Sequence, residues 1–231
     1  MDNTNSPEET WVHRAGGIAA IIFGIAYVSI MALYLPLGGK PTGAEAWLSQ
    51  TAEFSSSWWG ILGLSVLTDF LLVPISLSLY LALKKFGRNA MLIATAFVGL
   101  FVVLDLALTW TNIGSLITLG EQYATAANEA ERTFVATAAI YPSSVADSNL
   151  IFIYNSFTLA VGILLTGLVM QNGVFNKATA YTGIATGVCA IVSVASSFFS
   201  NSVSGMTIIL ASLLTMVWYF LVGFRLFKLG Q

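Results

Sequence analysis

Two aspartates lie inside long apolar runs of this sequence. Asp69 is part of WWGILGLSVLTDFLLVPISLSLYLAL, and Asp105 is part of AMLIATAFVGLFVVLDLALTWTNIG. An acid at membrane depth is costly, and such acids commonly serve proton relays, ion pathways or ligand sites. Neither run places a Lys or Arg at mid-membrane, so neither acid has an obvious counter-ion there. The pattern indicates a neutral carboxylic acid or a cation that comes from outside.

Further polar side chains share helical faces with these acids. Ser65 precedes Asp69 by four residues, and Thr109 and Asn112 follow Asp105 at the fourth and seventh positions. We predict an outward-opening polar pocket with Asp69 near the midplane at its floor and Asp105 shallower on its wall. The predicted ligand- or proton-binding residues are Asp69, Asp105, Asn112, Asn155, Ser65 and Thr109.

A structural interpretation of the same residues stays open. A protonated Asp69 could bond to a neighbouring Ser or Tyr, and Asn155 could be a hydrogen-bonding contact between helices worth about 0.6 kcal/mol. Asp147, at the start of a later run, is predicted to be the N-cap of that helix, because Asp is a preferred capping residue.

The motifs of several enzyme classes are missing from the sequence. His13 is the only histidine and Cys189 the only cysteine, which argues against a transition-metal site, a haem site and a histidine-activated nucleophile. The TDF and LDL contexts of the two aspartates do not match an aspartyl intramembrane protease. We predict no metal and no cofactor. Whether the protein is an enzyme stays open, and the motifs favour a protein that is not.

Composition indicates an integral membrane protein. The 231 residues are 57% hydrophobic and only 9% charged, whereas soluble domains have about a quarter charged residues. The formal charge of -2 and the lack of a basic run argue against a nucleic-acid partner. The predicted partners are the lipid bilayer and a small molecule or cation. A protein partner or a homo-oligomer stays open.

Apolar runs of about 20 residues, each long enough to cross a bilayer, recur along the chain. We predict an all-α bundle of six transmembrane helices at roughly 15–37, 58–83, 90–118, 147–171, 178–199 and 205–227. Residues 1–14 would be a polar cytoplasmic N-terminus and 228–231 a cytoplasmic tail. The segment 121–140 is predicted to be an exterior helix that ends at Tyr141-Pro142, because the residue before Pro disfavours helical angles.

Lys and Arg are distributed unevenly over the predicted connections. One set holds seven of them, and the other holds only Lys40 and Arg132. Because cytoplasmic loops are enriched in Lys and Arg, six crossings would place both termini in the cytoplasm. The seven residues are Arg14, Lys84, Lys85, Arg88, Lys177, Arg225 and Lys228.

The stretch 162–193, GILLTGLVMQNGVFNKATAYTGIATGVCAIVS, combines a helix, a glycine-containing turn and a small-residue helix. It resembles the bacterial and archaeal DUF4386 family, whose turn has the outline G-x-L-x-x-S-G-x-F-P-R-x-L-G. Asn176 stands where Pro is common in that family. Residues 11–17, with a basic residue before a Gly-Ala helix, are similar to the family's opening. The resemblance implies the six-span topology and brings no activity with it. The residues that fit the outline are Gly167-Leu168, Gly173, Phe175, Lys177 and Gly183.

The sequence therefore predicts a multi-pass protein of a prokaryotic plasma membrane. The first hypothesis is a small transporter or ligand-binding protein with an outward-facing polar pocket. The alternative is a non-catalytic accessory or assembly subunit of a membrane complex, in which the polar residues serve packing. An intramembrane enzyme that acts on lipid is the third hypothesis.

Overall fold

The computed structural model describes residues 7–231, with side chains from Glu9 onward. Within that range the chain is almost entirely helical, which confirms the predicted all-α class. Five helices are long and apolar enough to cross a membrane. Residues 1–6 of the predicted polar N-terminus lie outside the described range, and residues 7–14 form the first turns of the first helix.

The described part of the chain contains nine α-helices, a 3-10 turn and a π-helical stretch. In chain order these are α1 (Pro7–Tyr34), the 3-10 turn (Leu35–Leu37), α2 (Ala44–Glu53), α3 (Ser55–Leu104), the π-helical stretch (Asp105–Trp110), α4 (Thr111–Thr125), α5 (Glu129–Ala138), α6 (Ile140–Ala146), α7 (Asn149–Met170), α8 (Lys177–Ser196) and α9 (Asn201–Leu229).

Helix α3 folds back on itself at Gly87, where φ is −172° and ψ is 65°. The indole Nε1 of Trp59 donates to Glu121 Oε1 at 2.9 Å, although 62 residues separate them. Closer to the turn, Leu62 packs beside Gly114. In both pairs the partners lie on opposite sides of Gly87, and the pair nearer to Gly87 in sequence on one side is also nearer on the other. Residues 55–86 and 88–125 are therefore antiparallel, and we call them the first arm and the second arm. A Cβ at Gly87 would meet Val169 at 3.0 Å, so glycine allows the turn to approach α7.

The long helices pack side by side through small residues. Helix α1 lies between the first arm and α9, α8 lies between α9 and α7, and α7 contacts the second arm. A Cβ at Gly167 would lie 2.8 Å from the backbone nitrogen of Ile184, and one at Gly162 would lie 3.2 Å from the carbonyl oxygen of Ala94. Such backbone proximity is typical of membrane helices, which associate through van der Waals packing and hydrogen bonds.

Large apolar side chains lie both in the interior and on the surface of this bundle. Trp218 and Tyr219 of α9 fill its centre together with Leu72 and Met91 from the two arms. Many others point outward on the helix surfaces, for example Val103, which is 63% exposed. In a soluble monomer an apolar surface of this extent would be unusual. The outward-facing apolar surface therefore suits contact with lipid chains.

The two ends of the bundle differ in structure and charge. At one end, which we call the cap end, α2, α5 and α6 pack on α4 and the start of the first arm around the buried Trp47, Trp58 and Leu116. The other end carries the Gly87 turn and both chain termini of the described range, and it holds seven of the nine Lys and Arg residues. We call it the basic end.

The exterior segment 121–140 differs in detail from its prediction. It comprises the end of α4, a short break and α5, which ends at Ala138. Tyr141-Pro142 does not stop a helix, because Pro142 lies in the first turn of α6. Proline is tolerated there, since the first backbone N–H groups of a helix have no intrahelical acceptor.

Candidate functional site

The side chain of Asp105 lies at the junction of the second arm and α7, where three polar side chains surround it. Asn155 Nδ2 donates to Asp105 Oδ1 at 2.6 Å, and the same amide nitrogen lies 2.7 Å from Thr109 Oγ1. On the other side, Trp110 Nε1 donates to Asp105 Oδ2 at 2.9 Å. Asp105 is only 8% exposed, so these bonds form in a packed interior. We call Asp69, Asp105, Thr109, Trp110 and Asn155 the carboxyl cluster.

The π-helical stretch explains how Trp110 reaches Asp105. Residues Asp105–Trp110 are π-helical, and in a π-helix the backbone hydrogen bonds join residues five apart instead of four. The wider turn brings residue i+5 above residue i, so the indole of Trp110 lies over the Asp105 carboxyl. Single π turns occur often at functional sites. The sequence pattern gave no signal for this turn, and Trp110 was not among the predicted site residues.

Asp69 approaches the same cluster from the first arm. It is 3% exposed, and its carboxyl interacts electrostatically with Asp105 and with the Trp110 indole. Its Oδ2 atom is buried without a hydrogen-bond partner among the described residues. No Lys, Arg or His in the described range lies within 4.0 Å of either carboxyl.

The two carboxyls lie at the same level of the bundle. Asp69 and Asp105 are each 18 residues from Gly87, and the two arms run antiparallel from that turn. At 1.5 Å per residue, both lie about 27 Å from the turn and therefore nearer the cap end. The prediction that Asp69 lies deeper than Asp105 is wrong, because it counted each helix from its own end without the register between the arms.

The structure brings four predicted site residues together and leaves two apart. Asp69, Asp105, Thr109 and Asn155 belong to the carboxyl cluster. Asn112 instead donates to the backbone carbonyl of Leu108 at 2.6 Å, which satisfies an acceptor beside the π turn. Ser65 is buried one helical turn from Asp69 on the cap-end side, with no side-chain hydrogen bond to the cluster in the described range.

The two aspartates of the predicted outward-opening pocket are closed off from solvent in this structure. Asp69 and Asp105 are both buried, and the cap packs over the ends of the two arms that lie farthest from Gly87. Neither aspartate lines the groove at the basic end or the small cavity between the two arms, α7 and α9. The physical reason is that Trp47 and Trp58 are buried in the cap, which covers this end of the two arms. The carboxyl cluster is therefore a closed, packed group.

A small internal cavity lies on the basic-end side of the cluster. Its volume is about 20 Å³, enough for about one water molecule, and both arms, α7 and α9 line it. Two of the residues that line it, Thr95 and Trp218, each have a buried polar atom, Oγ1 and Nε1, without a protein hydrogen-bond partner in the described range. The bundle interior on the basic-end side of the carboxyl cluster therefore has polar groups that could hydrogen-bond to a water molecule.

A third aspartate, Asp147, lies in the cap and connects the end of α6 to the start of α2. Its carboxylate accepts hydrogen bonds from Gly43 N at 2.8 Å and from Trp47 Nε1 at 3.0 Å. Lys40 Nζ lies 4.0 Å away and donates to the carbonyl of Ala146 at 2.6 Å. Burial lowers the pKa of the Lys40 ammonium, and the negative charge of Asp147 partly offsets this.

The predicted capping role of Asp147 is wrong by one residue. Ser148 is the N-cap of α7, and its side chain accepts the backbone N–H of Leu150. Asp147 instead follows the last residue of α6. Its position there directs its carboxylate across to α2, which explains why it binds the cap and not its own helix.

His13 of α1 is buried against the first arm, a position that the sequence did not predict. It is 3% exposed, and its Nδ1 lies 3.2 Å from Ser78 Oγ. Gly16, one turn later, faces the same serine, and a Cβ there would clash with it. The only sequence signal for this close contact between α1 and the first arm was the glycine that permits it.

No family model, curated protein or solved structure matches this chain. The resemblance to the DUF4386 family stays a prediction.

Proposed function

We propose that the protein crosses the membrane six times, with both termini in the cytoplasm of a prokaryotic cell. The two arms of the folded-back helix then count as separate crossings beside α1, α7, α8 and α9. The concentration of Lys and Arg at the basic end supports this orientation.

In a Cys189→Ala background, a cysteine at Arg132 should react with an impermeant thiol reagent in intact cells. A cysteine at Lys85 should react only after the membrane is opened, and the reverse pattern would overturn the orientation.

We infer further that the carboxyl cluster binds a proton or a small cation, as part of a small transporter or ligand-binding membrane protein. The observation that carries this inference is the pair of buried carboxyls, Asp69 and Asp105, without a basic partner in the described range. Two neighbouring carboxylates in a medium of low dielectric repel each other strongly, so both cannot hold a bare negative charge. A proton or a cation would neutralise one of the two negative charges and relieve this repulsion.

The environment of each carboxyl suggests separate roles. Asp105 accepts from Asn155 and Trp110, so its position and orientation are fixed. Asp69 has an oxygen without a partner, so it is free to take up a proton or to contact a cation. We assign the variable charge to Asp69 and the positioning of the site to Asp105.

Transport through this site requires movement of the cap. Both carboxyls are closed off from the cap-end solvent, whereas the interior on the other side has a water-sized cavity. The closed arrangement is what an occluded state of a transporter would look like, with loosening of the cap giving access from outside. Many transporters place their substrate or ion sites near the membrane midplane between packed helices.

Flux measurements on the reconstituted protein would test this function. In proteoliposomes with a pH-sensitive dye inside, a pH or sodium gradient should drive proton movement by the wild-type protein. Asp69→Asn should reduce this movement at least tenfold, because it removes the titrating group. Glu45→Gln removes one exposed acid of the cap and serves as the matched control. Equal flux in wild type and Asp69→Asn would exclude Asp69 from the mechanism.

The accessory-subunit hypothesis remains the second candidate because of one observation. Asn155 of α7 bonds to both Asp105 and Thr109 of the second arm, which is the arrangement of a contact that holds two helices together. Under this hypothesis Asp105→Ala would lower stability without any change in ligand or proton binding. Co-purification of a larger membrane partner, lost in the same variant, would favour it.

A further inference from the structure

A groove of about 400 Å³ opens at the basic end, between the α7–α8 loop and the last turns of α9. Leu221 and Phe224 belong to its lining, and we call them its apolar wall. Phe224 is 58% exposed, so its ring is available to a ligand or to lipid. The groove is distant from the carboxyl cluster, which lies towards the opposite end of the bundle.

Two basic side chains line the same groove. Arg225 and Lys228 are three residues apart on α9 and therefore lie on one face of the helix. Arg225 Nε donates to the carbonyl of Val174 at 2.8 Å, which fixes the guanidinium at the groove edge and leaves its terminal nitrogens available. No carboxylate among the described side chains lies within 4.0 Å of either residue.

The combination of charge and apolar surface restricts what can occupy the groove. Two unneutralised cations attract an anion, and an arginine whose terminal nitrogens are available matches a phosphate in geometry. A free phosphate would leave the apolar wall exposed. A phospholipid places its phosphate beside the cations and its acyl chains along Leu221 and Phe224, so it satisfies both parts of the groove.

We propose that this groove binds an anionic glycerophospholipid of the leaflet at the basic end. Its phosphate contacts Arg225 and Lys228, and the upper part of an acyl chain packs against Phe224. The site would hold α9 and the α7–α8 loop together through the lipid. Basic pockets between membrane helices on the cytoplasmic side are suited to anionic head groups, and each Lys or Arg contributes about 1 kcal/mol, or about fivefold in affinity.

Native mass spectrometry of the full chain in detergent would test the proposal, with phosphatidylglycerol and phosphatidylcholine as probes. The wild-type protein should retain phosphatidylglycerol at least fivefold more tightly than phosphatidylcholine. Lys228→Gln should weaken phosphatidylglycerol binding about fivefold. This variant leaves the Arg225 bond to Val174 intact, so it tests the site without disturbing the loop. Arg225→Gln together with Lys228→Gln should abolish the preference.

A matched variant separates a specific site from general attraction to charge. Lys85→Gln with Arg88→Gln removes two exposed cations from the Gly87 turn at the same end. It should change phosphatidylglycerol binding less than twofold. Equal losses in the two double variants, or equal binding of the two lipids by the wild type, would overturn the proposal. Displacement of the lipid by millimolar inorganic phosphate would also overturn it, because the apolar wall would then contribute nothing.

Discussion

Asp147 in the cap and the aspartates of the carboxyl cluster are all at least partly buried acids, yet their surroundings differ. Asp147 accepts two hydrogen bonds from α2 and its start, and it has a cation nearby. Asp105 accepts from uncharged donors only, and Asp69 keeps an oxygen without a partner. The first arrangement provides charge-assisted hydrogen bonds to a carboxylate, whereas the second leaves the negative charge to be neutralised by a proton or a cation.

This difference suggests how to separate structural from functional acids in a membrane protein. A carboxylate whose donors all come from neighbouring segments contributes to stability, and its loss should loosen those segments. A buried carboxyl with unmet bonding capacity contributes little stability, so stability alone does not account for its presence. The predictions below test this contrast through the free energy of unfolding, measured by denaturant titration in detergent.

Asp147→Ala should have the largest effect on stability, a loss of about 3 kcal/mol. It removes the acceptor of two charge-assisted hydrogen bonds and leaves the buried Trp47 N–H without a partner. Asp147→Asn keeps one acceptor oxygen and should lose about half as much. A loss below 0.5 kcal/mol in Asp147→Ala would show that the carboxylate does not hold the cap.

Gly120→Ala should destabilise the cap by about 2 kcal/mol. Its Cβ would meet Thr51 Oγ1 and would lie 3.0 Å from the carbonyl oxygen of Leu48, so α2 and α4 would have to separate. Gly63→Ala is the matched control, because no atom lies within 4 Å of its Cβ. It should leave stability unchanged or raise it by up to about 1 kcal/mol through helix propensity. Equal effects at both glycines would contradict the tight α2–α4 contact.

A double-mutant cycle on Asp105 and Asn155 should give a coupling energy of about 1 kcal/mol. This lies within the range of hydrogen bonds between membrane helices, which average about 0.6 kcal/mol and reach about 1.7. The variants are Asp105→Ala, Asn155→Ala and the pair, and unfolding is followed as above. A coupling of zero would mean that the 2.6 Å contact between the two side chains does not contribute to stability.

Asp69→Leu should have the smallest effect on stability, between no change and a gain of about 1 kcal/mol. The leucine replaces a buried acid that has an unsatisfied oxygen with an apolar side chain of similar size. Any function that depends on a proton or cation at this position should be lost in the same variant. A loss of more than 2 kcal/mol would assign Asp69 a structural role and weaken the contrast with Asp147.

Local sequence patterns predicted much of the bundle. Predicted spans 147–171 and 178–199 correspond closely to α7 (Asn149–Met170) and α8 (Lys177–Ser196), because long apolar runs bounded by turn residues are a strong signal. The prediction of a break at 84–88 is confirmed by the non-helical backbone at Gly87. The helical character of 121–140 was also anticipated, although its internal breaks were not.

The parts that the sequence missed depend on contacts between distant segments. The register of the two arms brings Asp69 level with Asp105, and helical periodicity within one run carries no information about that register. The π turn that directs Trp110 to Asp105 is a one-residue change of spacing in an apolar run, without a distinctive residue type. Likewise, the burial of Trp47 and Trp58 depends on the packing of α2 over the bundle, which no local sequence pattern encodes.

The protonation of the carboxyl cluster can be observed directly by infrared spectroscopy. A protonated carboxylic acid has a carbonyl stretching band that an ionised carboxylate lacks, and the reconstituted protein should show this band at neutral pH. The band should disappear in the Asp69→Asn, Asp105→Asn double variant and persist in Asp147→Asn. Absence of the band in the wild-type protein at neutral pH, in a buffer without small metal cations, would contradict the proposed protonatable site. An unchanged band in the double variant would contradict it equally.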